Sequence, residues 1–384
     1  MSTATRTFLG CFRLDLQRIL KLTAAASLVA ALFGCAHIKE QKYDLVIPAP
    51  PEPPRYRLEH VYSGSAEYEK HGFLDAIFGG KSATEQHQLF KPMDVVSNGK
   101  GLVYISDTAK PPRIEVFDEV KKEVRLIGVE GEGRLVLPLG MGLGPEGNLF
   151  VADGKLRQVI EFAPDGKFLG AFGSAATLET PSDAAVDPER KLLYVVDSKG
   201  HRVQVFSLAD RKLVRTIGER GNDPGKFNYP SSVALGKDGK VYVVDSLNFR
   251  YQVFDAEGKF LATHGAIGQE PGSFARPKGI ALDSENHVYV TDAAFCNVQV
   301  FDQEGKLLIW IGAPGSKPGE FQLTEGIFID STDHVFVVDQ MNQRVQRFAW
   351  LPQSPAPQVG ARTAEVGAVA PALGEKPRLP AEAR

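Results

Sequence analysis

The sequence predicts an all-β fold of six repeated four-stranded units, on two periodic features. Six aspartates each end a run of β-branched and aromatic residues at intervals of 46, 44, 48, 47 and 47 residues, namely Asp107, Asp153, Asp197, Asp245, Asp292 and Asp339. Four short apolar runs fill each repeat and are separated by Gly, Asp and Lys turns. One such unit cannot bury its apolar face alone. Closure into a ring hides the sheet edges, so the pattern predicts a six-bladed β-propeller.

The fourth unit shows the order of strands and turns most fully. Runs at 232–235, 241–245, 251–254 and 260–265 have the length and composition of strands. The turn at 237–240 contains an Asp-Gly pair, which suits a tight hairpin. We therefore expect antiparallel strands that follow one another in sequence order.

The two ends of the repeat region predict how the ring closes. After Phe348 the chain becomes rich in Pro and Ala, so the sixth unit has only three strands of its own. A lone strand pattern at 56–64 precedes the first unit and ends in Gly64. We predict that 56–64 supplies the missing outer strand of the last blade.

The repeats resemble a known family at the turn that follows each aspartate. Segments 197–206 and 245–254 share the order Asp, four turn residues, Arg, and then Val-Gln-Val-Phe or Tyr-Gln-Val-Phe. This order is similar to the NHL repeat, and it recurs in register over 90–348. The resemblance implies a six-bladed propeller.

The first 34 residues have the pattern of a targeting signal. A net basic stretch precedes an apolar run at 22–33, which is too short to span a bilayer. The sequence Leu32-Phe33-Gly34-Cys35 resembles a bacterial lipobox, which implies acylation of Cys35 and a lipid anchor. Ala36 implies sorting to the outer membrane, with the body in the periplasm. The alternatives are an ordinary secretory signal or a buried helix.

Composition predicts that the segments flanking the repeats are not globular. Residues 35–55 contain five prolines and are expected to form a stiff, extended spacer. Residues 349–384 are rich in Pro, Ala and Gly and are expected to be disordered. Without residues 1–34 the formal net charge falls from −3 to −6. A mildly acidic protein is a poor partner for nucleic acid.

The recurrent aspartates invite a structural interpretation before a catalytic one. In five units an arginine follows four to six residues later, which predicts five ion pairs across the loop: Asp107 with Arg113, Asp153 with Arg157, Asp197 with Arg202, Asp245 with Arg250, and Asp339 with Arg344. Repetition in almost every unit favours a structural role, because catalysis usually needs one asymmetric site.

The loops of the last three units predict a surface that binds a protein partner. The fifth loop replaces polar residues and Arg with Ala and Phe, and its neighbours also carry apolar residues. The candidates are Leu247, Phe249, Ala294, Phe295 and Met341. Exposed apolar surface commonly marks a partner site. The alternative is that these side chains fold back between the blades.

An insertion at 65–89 contains a predicted helix. Phe73, Leu74, Ile77 and Phe78 share one helical face, and Gly79-Gly80 would end the helix. Such a helix could cap the propeller, or it could dock a partner or lipid.

An enzymatic function is the main alternative. Propellers with the NHL signature include amidating lyases with zinc-binding histidines and lactonases with a metal in the channel. His201, His287 and His334 do not form the spaced triad that catalytic zinc requires. Asp94, Asp183 and Glu325 are predicted near the channel, where carboxylates could hold Ca²⁺ or could simply be solvated.

Together these observations predict a lipid-anchored periplasmic propeller at the outer membrane that binds a protein partner without catalysis. No cofactor is predicted apart from the possible Ca²⁺. A metal-dependent lyase or lactonase is the first alternative function, and binding of cell-wall glycan is the second.

Overall fold

The computed structural model describes residues 43–65, Tyr68 and 87–351. The predicted signal peptide, Cys35, the helix predicted at 73–80 and the tail beyond Leu351 lie outside these residues. Within them the chain forms six sheets around a common axis. The predicted all-β, six-bladed propeller is confirmed. No helix in the described ranges is both long and apolar enough to cross a membrane.

Blades 1 to 3 each contain four antiparallel strands in sequence order from the axis outwards. Blade 1 consists of β3 (Pro92–Ser97), β4 (Leu102–Asp107), β5 (Arg113–Asp118) and β6 (Glu123–Ile127). Blade 2 consists of β7 (Pro138–Leu143), β8 (Leu149–Asp153), β9 (Gln158–Phe162) and β10 (Phe168–Phe172). Blade 3 consists of β11 (Pro181–Asp187), β12 (Leu192–Asp197), β13 (Arg202–Ser207) and β14 (Leu213–Ile217).

Blades 4 and 5 repeat this arrangement, whereas blade 6 is completed by the N-terminal strands. Blade 4 consists of β15 (Pro230–Leu235), β16 (Val241–Asp245), β17 (Arg250–Phe254) and β18 (Phe260–His264), with a 3-10 turn at Ser246–Asn248. Blade 5 consists of β19 (Pro277–Leu282), β20 (Val288–Asp292), β21 (Asn297–Phe301) and β22 (Leu307–Ile311). Blade 6 consists of β23 (Thr324–Ile329), β24 (His334–Asp339), β25 (Arg344–Trp350), β2 (Tyr56–Tyr62) and β1 (Val46–Ile47).

The ring closes where β2 pairs with β25, as the sequence predicted. The register places Leu58 opposite Phe348 and Tyr62 opposite Val345. The Tyr62 hydroxyl donates to Glu119 Oε1 of blade 1 at 2.8 Å. Arg347 Nη1 of blade 6 donates to the same oxygen at 2.8 Å. The closing strand therefore joins blade 6 to blade 1 through buried apolar and polar contacts.

The extended spacer predicted for 35–55 is wrong for residues 43–55, which fold back onto blade 6. β1 pairs with β2, and the Leu58 amide donates to the Leu45 carbonyl at 3.0 Å. Tyr43, Leu45 and Ile47 pack against the apolar core between blades 5 and 6. The apolar residues that precede Pro48 bury more surface on the sheet than they would in an extended chain. At the other end the last strand runs to Trp350, two residues beyond the predicted limit.

The core lies between consecutive blades. All residues of β8, β12 and β16 are buried, because the middle strands face a neighbouring blade on both sides. Between blades 3 and 4, for example, Tyr194 and Val205 pack against Phe227 and Val243. The first strands of the blades line a central channel with two cavities of about 230 Å³ each.

Candidate functional site on the loop face and in the channel

One end of the propeller carries the connections from the second to the third strand of each blade and from each blade to the next. We call this end the loop face. The recurrent aspartates end the second strands and therefore lie beneath it. All six aspartates are fully buried. Their partners determine how the loops of this face are held.

The aspartates accept hydrogen bonds from backbone amides that directly precede the first strand of the same blade. Asp153 Oδ2 accepts from the amides of Val136 and Leu137 at 2.7 and 3.0 Å. Asp292, which has no following Arg, accepts from the amides of Ala275 and Arg276. The same contact occurs in the other four blades. The shared role of these carboxylates is thus to fix the incoming loop, which the sequence interpretation missed.

Four of the five predicted arginines lie beside their aspartates. The N to O distances are 2.7 Å for Asp339 with Arg344, 2.8 Å for Asp245 with Arg250, 3.1 Å for Asp197 with Arg202 and 3.7 Å for Asp107 with Arg113. Arg113 is closer to the buried Glu115, at 2.6 Å. Arg250 and Arg344 also donate to carbonyls of the incoming loop.

The predicted pair of Asp153 with Arg157 is wrong. Among the described residues no ion pair joins them, and Arg157 donates to the carbonyls of Leu178 and Ala175 in the next loop. Arg157 has a φ of 60°, so it occupies the turn position that residues before the third strand take in other blades. Arg157 follows Asp153 by four positions, whereas Arg202 of blade 3 follows Asp197 by five. The Arg157 guanidinium therefore reaches carbonyls of the next loop instead of the aspartate.

Buried glutamines on the third strands complete the support of the loops. Gln252 Nε2 donates to the Lys226 carbonyl at 2.8 Å, and its Oε1 accepts from the Gly225 amide at 2.8 Å. Gln299 and Gln346 make the equivalent pair of contacts in blades 5 and 6. The recurrence of Gln two residues after the start of the third strand was the available sequence signal.

The apolar residues predicted for a partner surface divide into two groups. Leu247 is 52% exposed and Met341 is 64% exposed, and Ala294 is also exposed. Phe249 and Phe295 are half-buried instead, and Phe249 packs against the core between blades 4 and 5. The packing of Phe249 corresponds to the alternative that the loop side chains fold back between the blades. Phe249 is itself the left-handed residue of its turn, with a φ of 55°.

The sequence interpretation also missed exposed apolar residues on the same face. Ile267 is 70% exposed in the loop that leads into blade 5, and Tyr229 is exposed in the loop that leads into blade 4. These loops cross the loop face on their way to the axis. Blades 4 to 6 therefore present an apolar set that consists of Tyr229, Leu247, Ile267 and Met341.

The channel carries two carboxylates that hydrogen-bond to neighbouring blades. Asp94 Oδ2 accepts from the Met141 amide of blade 2 at 2.7 Å. Asp183 Oδ2 accepts from the Ser232 hydroxyl and the Val233 amide of blade 4, at 2.7 and 3.0 Å. Amides on the open edges of the first strands thereby gain acceptors. These contacts join blades at the axis.

The channel carboxylates do not assemble the predicted Ca²⁺ site. Glu325 lies 3.1 Å from Lys278 Nζ and forms an ion pair with it. Within 43–65, Tyr68 and 87–351, no cluster of three or more His, Cys, Asp or Glu side chains has the geometry to hold a metal. One carboxylate oxygen of Asp94 and one of Asp183 already accept hydrogen bonds from backbone amides and from the Ser232 hydroxyl of other blades.

Burial raises the pKa of both channel carboxyls. The pKa of Asp183 rises to about 6, because burial disfavours the charged form more than the Ser232 hydroxyl and the nearby amides favour it. The pKa of Asp94 is raised well above its ordinary value by burial and by the charge of Asp183. Both groups hold protons more tightly in the folded protein than in the unfolded chain.

The Asp183→Asn variant is expected to lose part of the pH dependence of stability. A carboxyl whose folded pKa is raised stabilises the protein below its unfolded pKa, near 4, and this contribution is lost as pH rises through about 6. Between pH 4 and 7 the wild type should lose on the order of 3 kcal/mol more unfolding free energy than the variant. Urea unfolding at several pH values measures the difference, and parallel curves would contradict the assignment.

Family comparisons agree with the geometry of the blades. A family profile described as a 6-bladed beta-propeller matches residues 236–294 and 283–350, and an NHL repeat profile matches 178–206. The chain is a six-bladed β-propeller with NHL repeats. The NHL match covers the turn after Asp197, where the resemblance was seen in the sequence.

The curated proteins to which this propeller is similar include proteins named only for their NHL repeats and proteins named as enzymes. The chain is 31% identical over 125 residues to NHL repeat-containing protein 2 of Gallus gallus, covering 29% of this chain and 17% of that protein. It is 29% identical over 161 residues to the peptidyl-glycine alpha-amidating monooxygenase of Mus musculus, covering 38% of this chain and 16% of that protein. The matched part of the chain thus covers about a sixth of the length of either relative.

Solved structures show the same fold at low sequence identity. A gluconolactonase from Xanthomonas campestris superposes with a TM-score of 0.54 at 13% identity, over 81% of this chain and 99% of that one. At this identity the likeness concerns the fold alone.

Proposed function

We propose that this NHL propeller is a non-enzymatic platform that binds a protein partner through the loop face of blades 4 to 6. The observation that carries the proposal is the exposure of Leu247, Ile267 and Met341 on three loops at the same end of the propeller. Apolar side chains of this size lose contact with water when a partner covers them.

The support beneath these loops favours a binding surface that is rigid before the partner arrives. Asp245 and Asp339 are fully buried, and each holds the incoming loop of its blade through an amide and an arginine. A surface that is already ordered loses little conformational entropy on binding. Fixed blades can therefore present variable loop residues at low cost.

The proposal includes a lipid anchor at the outer membrane, with the propeller in the periplasm. Its support is the lipobox-like sequence that ends at Cys35 and the following Ala36. Acylation of Cys35 would restrict the propeller to the membrane surface and raise its effective concentration there.

Replacing Leu247, Ile267 and Met341 together by aspartate is expected to abolish partner capture. Three charged side chains in place of exposed apolar ones should weaken binding at least about tenfold, because a few central side chains carry most of the binding free energy. Affinity purification of the tagged, full-length protein from a detergent extract of its own cells, after chemical cross-linking, measures the recovery of co-purified protein.

A matched control places the same charges elsewhere on the propeller. Leu213, Val214 and Leu261 are exposed apolar residues of the outer strands of blades 3 and 4, away from the loop face. Their triple aspartate variant should retain full recovery. Equal recovery with both variants would refute binding through the loop face.

A further inference from the structure

An apolar groove lies at the rim of the propeller, between the N-terminal segment and blade 5. Its volume is about 730 Å³. Leu45, Ile47 and Pro48 line one side, and Leu308 and Trp310 of β22 line the other. Trp310 is 54% exposed, which is unusual for so large an apolar side chain. It is one of two tryptophans in the chain. Lys317 and Glu320 at its edge belong to the connection from blade 5 to blade 6, but Tyr229, Leu247, Ile267 and Met341 of the loop face do not line this groove.

The strand that forms one wall of the groove carries no charged residue. β22 reads Leu-Leu-Ile-Trp-Ile and shares this lack of charge with the outer strands of blades 2 and 4, whereas the outer strands of blades 1 and 3 carry Arg125 and Arg215. Charges on an outer strand normally keep its open edge from associating with other apolar surfaces. The outer strand of blade 5 lacks this protection, and its two exposed side chains point to the same side.

The charges around the groove balance. Glu52 and Glu320 contribute two negative charges, and Arg55 and Lys317 contribute two positive ones. A groove without net charge and with an apolar floor is unsuited to a strongly acidic or basic partner. Tryptophan side chains are enriched at the boundary between lipid headgroups and acyl chains, because the indole ring is apolar but has one polar N–H group. Trp310 at the edge of this groove could occupy that boundary.

The course of the chain brings this groove close to the proposed anchor. The described chain begins at Tyr43, which packs against the same interblade core as Leu45 and Trp350. Tyr43 lies eight positions after Cys35, and eight residue steps can span at most about 29 Å when fully extended. If Cys35 is acylated and lies in the membrane, Tyr43 and the rim of blades 5 and 6 must lie within about this distance of the lipid surface.

We propose that the groove at the rim of blades 5 and 6 is the side of the propeller that contacts the membrane, with Trp310 and Leu308 inserted at the headgroup boundary. The inference rests on the proposed acylation of Cys35. With the rim on the lipid, the loop face points along the membrane surface, where it meets partners held in the same membrane.

Trp310 provides the test. The full-length acylated Trp350→Phe variant contains Trp310 as its only tryptophan and is reconstituted into vesicles of dioleoylphosphatidylcholine or of the same lipid brominated on its acyl chains. Brominated lipid should remove about half or more of the Trp310 emission, because the indole would lie at the acyl boundary. Equal emission in the two kinds of vesicle overturns the proposal.

A relocated tryptophan serves as the matched control. Val214 is 52% exposed on the outer strand of blade 3, on the far side of the ring. In a chain with Trp310→Phe and Trp350→Phe, the Val214→Trp residue should keep its emission in brominated vesicles. Quenching at both positions would show that the propeller has no preferred orientation, which also overturns the proposal.

Failure of the anchor and failure of the orientation give different results. If the chain is not acylated, the wild type and Cys35→Ala both remain unbound when vesicles are sedimented, and the anchor itself is refuted. If only the orientation is wrong, the wild type sediments with the vesicles but Trp310 is not quenched. A blue shift of Trp310 that grows with protein concentration, in detergent without vesicles, would assign the groove to a second copy of the chain.

Discussion

Replacing Leu58 by alanine is expected to lower the free energy of unfolding by about 2 to 5 kcal/mol, the range found for large-to-small changes in protein cores. Leu58 is fully buried in the closing strand β2, opposite Phe348 of β25. Its side chain belongs to the core that joins blade 5 to blade 6. The loss should be large because truncation of a fully buried leucine removes apolar contacts and leaves a cavity in the packed core. Urea unfolding followed by circular dichroism measures it.

Arg57→Ala is the matched control for this prediction. Arg57 is the neighbouring residue of β2 and is exposed, so its truncation should change stability by less than about 0.5 kcal/mol. The variants should also differ in protease sensitivity near residue 56, since a weakened closing strand opens more often. Equal stability of the two variants would show that β2 does not seal the ring.

Replacing Asp245 by alanine is expected to cost about 3 to 5 kcal/mol, because an arginine beside it loses its buried partner. The fully buried carboxylate accepts from the Asn228 amide, Asn248 Nδ2 and Arg250 Nε, at 2.6, 2.7 and 2.8 Å. Gln252 Nε2 donates to it as well, at 3.1 Å. Removal takes the acceptor from the Asn228 amide and from Arg250 Nε, whereas Asn248 Nδ2 and Gln252 Nε2 keep the carbonyls of Gly221 and Lys226. Thermal and urea unfolding measure the loss of stability.

The blade without an arginine offers the comparison for Asp245. Asp292 has Asn297 where blade 4 has Arg250, and it accepts from backbone amides such as those of Ala275 and Ala294. Asp292→Ala should therefore cost less, about 1 to 3 kcal/mol, which is the penalty of unsatisfied neutral donors. If Asp292→Ala proves as damaging as Asp245→Ala, the arginine contributes nothing to the difference between the blades.

Most of the fold could be predicted from the sequence because its information is local and repeated. Each blade repeats the same four strand patterns, and each strand pairs with its neighbour in sequence order. The missing fourth strand after Phe348 was visible as an interruption of the period, which led to the closing strand at 56–64. A repeat of this kind specifies its own contacts.

The candidate sites were less predictable because they depend on side chains from different blades. Asp94 reaches an amide of blade 2 and Glu325 pairs with Lys278 of blade 5, so these carboxylates line one channel cavity without forming a metal-binding cluster among the described residues. Phe249 and Met341 stand in similar loops, yet one is half-buried and the other exposed. Burial within a strand can be predicted from the alternation of apolar and polar residues, but loop residues have no such periodicity that would predict which side chain is exposed.

By itself, the amino-acid sequence determined the number of blades, the strand order and the ring closure, because hydrophobic periodicity and turn chemistry act over a few neighbouring residues. Only the tertiary structure decided that residues 43–55 fold onto blade 6 and that the aspartates hold incoming loop amides. It also decided which apolar side chains reach the surface. Those outcomes depend on how separate blades pack against one another, since burial and hydrogen-bond partners arise between segments distant in the chain.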